Sequence, residues 1–116
     1  MNGFDELVLP AGLALSTDGI YHIASASAWE QAQQQGWYVS SSLASEGFIH
    51  CSYGHQVVET VRVHFQGQTN LVLLEIDPSL LEAPLKLECS RNGEVFPHLY
   101  GELNCSAVTS VLPLEE

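Results

Sequence analysis

The segment Leu71–Ile76, with the sequence LVLLEI, constrains the fold more than any other part of the chain. All of its residues except Glu75 are apolar, and turn-forming residues bound it, with Gly67 before it and Asp77-Pro78 after it. A short, nearly continuous apolar run of this kind is typical of a strand that is buried on both faces. The sequence therefore predicts a sheet with this strand in its interior.

A second strand is predicted at residues 20–24, where the sequence IYHIA is rich in β-branched and aromatic residues. Because successive side chains of a strand point to opposite faces, Ile20, His22 and Ala24 share one face, and Tyr21 and Ile23 share the other. His22 is thus expected to point in the same direction as its apolar neighbours.

Two helices are predicted. The first covers residues 28–35, with Ser27 and Glu30 as a capping box and Gly36 as the C-terminal cap. The second runs from Ser52 as N-cap to Phe65 and packs on the sheet. Its apolar stripe consists of Val57, Val58, Val61 and Phe65.

Shorter segments complete the prediction: strands at 47–51, 85–89 and 107–112, extended chain at 37–39, a loop at 40–42, and turns at 16–19 and 91–94. On the strand at 47–51, Phe48, His50 and Ser52 are expected to share a face. Residues 1–18 are expected to form a tail or irregular lead-in, and residues 19–116 a single domain. The fold class is α+β with two short helices.

The chain carries 14 acidic and three basic residues, which gives a formal charge of −11 with neutral histidines. It has no stripe of Lys or Arg that could displace counterions along a polyanion, which disfavours DNA or RNA as a partner. No apolar run approaches the roughly 18 residues that a membrane-spanning helix requires. Acidic Asp5 and Glu6 precede the mildly apolar stretch 7–15, where a secretory signal carries positive charge. A cytoplasmic location without membrane contact is therefore expected.

The chain has three cysteines, at Cys51, Cys89 and Cys105. An odd number without a Cys-x-x-Cys spacing indicates free or buried thiols in a reducing compartment. A zinc site drawn from His22, His50, Cys51 and His98 is disfavoured, because His50 and Cys51 are adjacent on a predicted strand and project to opposite faces. No metal is expected.

His22 and His50 are the candidate catalytic residues. Both lie inside apolar strand patterns, in IYHIAS and GFIHCS, where a hydrophobic residue would pack at lower desolvation cost. One interpretation is a pair of hydrogen-bond donors that face one cleft. The alternative is a pair of partly buried imidazoles, each satisfied by a backbone carbonyl.

The candidate ligand-binding residues lie farther along the chain. His98 and Tyr100 belong to FPHLYG, where proline and glycine bracket an aromatic-rich segment that is more typical of a binding loop than of a strand. Its alternative is simple packing of aromatic rings beneath a loop. Ser52 and Gln56 start the second helix, and Glu88 precedes Cys89.

Three further residue types have an ordinary structural explanation. A glutamine at a helix N-terminus, as expected for Gln56, is commonplace. Glu46 and Glu88 are carboxylates within reach of a cleft, but carboxylates are more often solvated surface charges. His55 and His64, at the first and last turns of the second helix, are expected to be solvated.

Taken together, the motifs resemble a family catalogued only as domain of unknown function 952. The resemblance covers residues 20–112, and FIHCS and FPHLYG in combination are its most specific part. It rests on IYHIAS followed by Trp29, EGFIHCS followed by Gln56, LVLLEID, Glu88 and FPHLYG. That family looks like a compact member of the ADP-ribosyltransferase fold, whose split, twisted, antiparallel-rich sheet forms a cleft for a nicotinamide dinucleotide.

The similarity extends to the RNA 2′-phosphotransferases of that fold. Their His-Gly-Thr resembles residues 22–24, their Val-His-Leu-Ser resembles residues 49–52, and their Asn-Gly-Val turn resembles residues 92–94. The resemblance implies that His22 contacts the ribose or phosphates of a dinucleotide and that His50 stands across its nicotinamide or ribose. Ile23 and Ala24 stand where those enzymes have glycine and threonine. The arginines that hold their RNA 2′-phosphate have no counterpart at Arg62 or Arg91.

The mono-ADP-ribosyltransferases of the same fold use a glutamate to hold the ribose, and Glu88 and Glu102 are nearest to it by chain order. The resemblance therefore implies a pocket for NAD or a related nucleotide, with N-glycosidic cleavage or ADP-ribosyl transfer as the chemistry. The alternative is a non-catalytic module that keeps the cleft and binds a metabolite or a protein. In that case the acidic charge favours a basic partner.

Overall fold

The computed structural model describes residue 15 and residues 18–90 and 93–114. Most of the predicted lead-in, Ser16 and Thr17 of the first turn, and Arg91 and Asn92 of the second turn lie outside the described residues. The second turn joins two strands, and the Ser90 N–H donates to the Glu94 carbonyl at 2.8 Å. The described residues combine α-helices with antiparallel strands, which agrees with the predicted α+β class.

The largest sheet among the described residues consists of four antiparallel strands: β1 (Ile20–Ser25), β4 (Ser52–Tyr53), β5 (Leu71–Ile76) and β9 (Val108–Leu114). Their order across the sheet is β4-β1-β5-β9. Strand β5 lies between β1 and β9, with Leu74 paired to His22 on one side and to Val111 on the other. The predicted interior strand is therefore confirmed.

Two apolar clusters cover the two faces of this sheet. Ile20 and Ala24 of β1 belong to one cluster, while Tyr21 and Ile23 belong to the other, as the predicted alternation requires. Leu73 and Leu74 of β5 divide in the same way, and both are fully buried. At about 25 cal/mol per Å² of apolar surface removed from water, the two clusters provide most of the driving force for folding.

The described residues contain three α-helices where two were expected: α1 (Ala26–Gln35), α2 (Ser41–Glu46) and α3 (Val57–His64). The predicted loop at 40–42 covers the first two residues of α2 and is wrong there; serine suggests a loop because it competes with the backbone for hydrogen bonds and is a weak helix former. The six residues of α2 end at Gly47, whose φ of 89° lies in the left-handed region that favours glycine.

The helix caps also differ from the prediction. Ser25, and not Ser27, caps α1, because its Oγ accepts the Ala28 N–H at 3.2 Å. Ser52 does not cap the second predicted helix, since a 3₁₀ turn at Gly54–Gln56 precedes α3. The predicted packing of this helix on the sheet is confirmed, with Val57 and Val61 buried against β1 and β5.

A second sheet has three strands in the order β3-β7-β6: β3 (Ile49–His50), β7 (Val95–Leu99) and β6 (Leu85–Cys89). The predicted strand at 47–51 is thus shorter than expected, and Ser52 begins β4 of the other sheet. The expected face shared by Phe48, His50 and Ser52 is therefore wrong for Ser52, because the chain changes sheets at Cys51, whereas the rings of Phe48 and His50 do lie together, with centroids 4.8 Å apart.

The prediction of a binding loop at FPHLYG is also wrong, since its first four residues belong to β7, the middle strand of this sheet. Proline is rare in an interior strand because it cannot donate to the ladder. The Pro97 carbonyl accepts the Cys51 N–H at 3.0 Å. The nitrogen and carbonyl of a strand residue point to the same side, so the missing N–H of Pro97 faces the point where β3 has already ended.

A two-stranded pair, β2 (Trp37–Tyr38) and β8 (Leu103–Asn104), completes the described strands. Strand β2 follows α1 and places Tyr38 in the apolar cluster that contains Ile20 and Ala24. No helix among the described residues is both long and apolar enough to cross a membrane.

Candidate functional site

A pocket of about 720 Å³ opens where β1 ends and α1 begins. Helix α2, the junction of β3 and β4, and the C-terminal end of α3 form its other walls. Of the residues predicted for the site, His22, His50 and Ser52 line this pocket, whereas Gln56, Glu88, His98 and Tyr100 do not. The volume lies within the range of about 300–1,000 Å³ that is typical of small-molecule sites.

His22 is buried in the wall of the pocket, and both of its ring nitrogens have partners. Nδ1 lies 2.6 Å from the His50 carbonyl oxygen and Nε2 lies 3.0 Å from the Tyr38 hydroxyl. Burial lowers the pKa of His22 to about 4, so the ring is neutral at physiological pH. A carbonyl can only accept, so Nδ1 carries the proton and donates to His50.

Tyr38 is the partner that the sequence did not identify. Because neutral Nε2 of His22 can only accept, the Tyr38 O–H donates to it. Burial raises the pKa of Tyr38 to about 12, which keeps this proton in place. Nothing in the local pattern of residues 37–39 indicates this role, since the contact joins positions that are 16 residues apart.

Replacing Tyr38 with phenylalanine is expected to raise the pKa of His22 above its present value of about 4, because the neutral ring loses the donor to Nε2. The loss of this buried hydrogen bond costs about 1 kcal/mol of folding stability. Titration of the ring by NMR measures the first effect. Tyr100→Phe is the matched control, since that hydroxyl bonds Glu88 instead, and an unchanged His22 pKa in Tyr38→Phe would contradict the assignment.

The His50 side chain is the exposed counterpart of His22 in the pocket wall. Its backbone carbonyl holds His22, while its ring Nε2 lies 3.1 Å from Glu46 Oε2 at the end of α2. The side chains of His50 and Glu46 are 48% and 51% exposed, so this pair can reach a ligand in the pocket. The sequence placed Glu46 within reach of a cleft, and the structure places it on the pocket wall.

His98 belongs to a second cluster, on the face of the β3-β7-β6 sheet that carries Phe48. Its side chain is only 5% exposed and its ring stacks on Phe48, with centroids 4.1 Å apart. Nδ1 lies 2.7 Å from Glu88 Oε1, which also accepts the Tyr100 hydroxyl at 2.7 Å. Within the described part of the chain, the buried Nε2 has no hydrogen-bond partner. His98 also meets His50 edge to face, with ring centroids 5.3 Å apart.

The charges in this second cluster stabilise one another. The Tyr100 hydroxyl and His98 hold the pKa of Glu88 below its usual value, so the carboxylate is ionised and His98 Nδ1 donates to it. The same contact raises the pKa of Tyr100. The three predicted histidines therefore adjoin one another, but only two of them share the pocket.

Gln56 lies outside the pocket, and both polar atoms of its amide have hydrogen-bond partners within the protein. Its Oε1 accepts the Tyr53 N–H at 2.9 Å, and its Nε2 donates to the Val95 carbonyl at 2.9 Å and to Glu94 at 3.2 Å. This buried side chain ties the 3₁₀ turn before α3 to the start of β7. These hydrogen bonds account for a glutamine at this position, and no role in ligand binding is needed to explain it.

Hydroxyl groups make up most of the remaining polar wall. Ser52 is buried and bonds Thr60 of α3 at 3.1 Å, and Ser40 bonds Ser42 at 2.7 Å. The Cys51 thiol is buried beside them, and burial raises its pKa to about 12, so it is protonated and poorly suited to bind a metal. No group of three potential metal ligands converges among the described residues.

Comparison with known proteins gives a family and a solved relative. Residues 23–111 match the model of a family described as protein of unknown function (DUF952). The crystal structure of protein CC0527 from Caulobacter crescentus is 45% identical, with a TM-score of 0.75 over 80% of this chain and 82% of that chain. Its solution NMR structure is also 45% identical, with a TM-score of 0.69 over 80% and 81%.

A search of curated proteins found no match to the chain. The solved relative supports the α+β fold. The likeness to the ADP-ribosyltransferases stays a prediction.

Proposed function

Because the chain belongs to the family described as protein of unknown function (DUF952), its activity has to be argued from its own pocket, and we propose that this pocket binds NAD or a related nucleotide. One observation carries the proposal: His22 and His50, which are 28 residues apart, line the same open pocket. The resemblance to the RNA 2′-phosphotransferases implies these two positions as the dinucleotide contacts.

The shape and chemistry of the pocket suit a ribosyl ligand. Its wall combines an apolar floor with several hydroxyl groups and one exposed imidazole–carboxylate pair, which is the usual make-up of a small-molecule site. Ribose hydroxyls can donate to and accept from such a wall. The aromatic ring of Phe96 and the methyl group of Ala28 offer surface to a planar base.

Calorimetric titration with oxidised NAD tests the proposal. Wild-type protein is expected to release heat, and His50→Ala is expected to bind about ten-fold more weakly, a loss of about 1.4 kcal/mol. The side chain of His50 is exposed, so this variant keeps the fold. The matched control is His55→Ala, which removes an exposed histidine outside the pocket. Absence of heat in the wild type up to millimolar NAD would end the proposal.

The position of Glu46 on the pocket wall supports catalysis on the bound nucleotide in addition to binding. Cleavage of the N-glycosidic bond breaks C1′–N, the leaving nicotinamide takes the electron pair, and a water molecule supplies the hydroxyl at C1′ while its other proton is released. Positive charge develops at C1′ as the bond breaks, and the Glu46 carboxylate on the pocket wall stabilises it. Alternatively, a hydroxyl or amine of an acceptor attacks in place of water, and the result is ADP-ribosyl transfer.

A non-catalytic binding protein is the second candidate, and the state of His22 favours it. The ring is neutral, its Nδ1 proton is held by the His50 carbonyl and its Nε2 lone pair by the Tyr38 hydroxyl, so neither nitrogen is free for proton transfer to a substrate. Chromatography of NAD incubated with the protein separates the two candidates. Released nicotinamide that disappears in Glu46→Gln supports catalysis, whereas bound but intact NAD supports the binding protein.

A further inference from the structure

Strand β6 is the outer strand of the three-stranded sheet, and among the described residues only β7 pairs with it. The register on β7 identifies which of its backbone groups point outward. Leu87 lies opposite Pro97, whose carbonyl points toward β3 and accepts the Cys51 N–H at 3.0 Å. Opposed residues of an antiparallel pair either exchange both of their hydrogen bonds or direct both of them to the other side. Leu87 therefore directs its N–H and C=O away from β7, and by alternation Leu85 and Cys89 do the same.

The hydrogen bonds that flank β6 agree with this assignment. The Pro84 carbonyl accepts the Tyr100 N–H at 2.8 Å, and the Ser90 N–H donates to the Glu94 carbonyl at 2.8 Å. Residues 84 and 90 alternate with Leu87, so they belong to the inward-facing set, as do residues 86 and 88. The outward-facing set is residues 85, 87 and 89. An edge of this kind presents a row of donors and acceptors with which another strand can pair.

The side chains of β6 divide in the same way between the two faces of the sheet. Leu87 is 59% exposed, and the exposed Cys89 and Val95 lie opposite each other on the same face as Leu87. Lys86, the only lysine of the chain, and Glu88 lie on the other face. The edge therefore carries exposed apolar residues on one face and two opposite charges on the other.

From this edge we infer that the protein binds a second copy of itself, with β6 of the two protomers paired antiparallel about a two-fold axis at Leu87. In this register Leu87 and the partner's Leu87 exchange both backbone hydrogen bonds, and Leu85 does so with the partner's Cys89. Lys86 then lies opposite the partner's Glu88, at a position where opposed side chains come closest. Each protomer contributes the same contacts, as a two-fold interface requires.

The two charges select this register over its neighbours. Sliding one strand by two residues in either direction keeps the outward-facing backbone groups paired. It also places Lys86 opposite the partner's Lys86, or Glu88 opposite the partner's Glu88. Like charges directly opposite each other are destabilising, so only the register centred on Leu87 combines the hydrogen bonds with opposite charges.

Pairing has to overcome the charge of −11 that each copy carries. At physiological salt, charges separated by more than about 8 Å are largely screened, whereas opposed side chains in a sheet are about 5 Å apart. The attraction between Lys86 and the partner's Glu88 is therefore screened less than the general repulsion. Because a single pair of short strands buries less surface than a standard interface, a weak, reversible dimer is expected. None of residues 85–89 lines the pocket, so the inference does not depend on the proposed function.

Amide hydrogen exchange at two protein concentrations, with sedimentation at the same concentrations, tests the pairing. The amides of Leu85, Leu87 and Cys89 are expected to exchange at least about three-fold more slowly at about 1 mM protein than at about 20 µM. The amides of Lys86 and Glu88 bond β7 and are expected to exchange equally at both. A monomer at both concentrations, or a dimer in which the outward-facing amides exchange freely, would overturn the inference. So would slow exchange of these amides in a monomer, since another segment of this chain would then cover the edge.

Charge reversal at Lys86 tests the register. Lys86 is exposed, so Lys86→Glu keeps the fold, but it places acidic side chains opposite each other on both sides of the axis. It is expected to weaken the dimer at least about ten-fold. The matched control is Arg62→Glu on α3, which changes the net charge by the same amount and is expected to alter the dissociation constant by less than about two-fold. Equal dissociation constants for the wild type and Lys86→Glu would refute the proposed pairing.

A cysteine placed at the two-fold axis gives an independent measurement. In Leu87→Cys combined with Cys89→Ser, the Cα atoms of the two introduced thiols are about 5.5 Å apart, within the range that a disulfide spans. Oxidised glutathione is therefore expected to link the two protomers. In the wild type, Cys89 and the partner's Cys89 are offset by about 14 Å along the strands, so no link is expected. Cross-linking of both proteins, of neither, or of the wild type alone would overturn the inference.

Discussion

Lowering the pH from 7 to 4 is expected to remove about 3 kcal/mol of folding stability through His22 alone. The ring has its ordinary pKa of 6.5 when the chain is unfolded and a pKa of about 4 when it is buried in the native protein. Between these values the unfolded state binds a proton that the native state does not, so stability falls as the pH falls. The full contribution is present above pH 6.5 and is lost progressively down to about pH 4.

Denaturant unfolding at several pH values measures this effect, provided that the 14 carboxylates, which titrate over the same range, are subtracted. The variant His22→Gln retains them and lacks the imidazole, so the stability difference between wild type and variant isolates residue 22. This difference is expected to shrink by about 3 kcal/mol from pH 7 to pH 4. Parallel curves for the two proteins would show that His22 titrates normally in the folded state.

Replacing Gln56 with leucine is expected to destabilise the protein by about 3 kcal/mol. Leucine has a similar size, but it leaves the part-buried Tyr53 N–H and Val95 carbonyl without the partners that the buried Gln56 amide gives them. Each unsatisfied buried group costs about 1–3 kcal/mol. Denaturant unfolding measures the loss.

The control for this variant is Gln33→Leu on the exposed face of α1, which is expected to change stability by less than about 0.5 kcal/mol. A loss below about 1 kcal/mol in Gln56→Leu would contradict the role of Gln56 as a structural tie. If the variant folds normally but no longer binds nucleotide, the original interpretation of Gln56 as a ligand contact is restored.

The strands of the four-stranded sheet were largely predictable, because the local order of apolar and polar residues shows which faces of a strand are buried. The alternation of residues 20–24 and the continuous apolar run of β5 each follow from a strand's own two faces. The change of sheets at Cys51 has no such local signal. It depends on β7 supplying the Pro97 carbonyl to the Cys51 N–H, a contact between positions that are distant in the chain.

The site was predictable to a similar extent. His22 and His50 stood out because an imidazole inside an apolar strand needs a partner, and the structure supplies one for each. Tyr38 lies in a segment that is predicted only as extended chain, and Glu46 is predicted as a carboxylate either within reach of a cleft or solvated on the surface, with no partner assigned. The role of Tyr38 depends on the pairing of β2 with β8, and that of Glu46 on the placement of α2, a short serine-rich helix whose formation is set by tertiary contacts more than by propensity.

Residue 50 performs two separable tasks, because its peptide group orients His22 while its side chain meets Glu46 at the mouth of the pocket. Any amino acid supplies the carbonyl, so an exchange at this position alters what the pocket selects and leaves the buried framework intact. Natural variation or laboratory evolution can therefore retune recognition here by single steps, whereas the same freedom does not exist at residue 22.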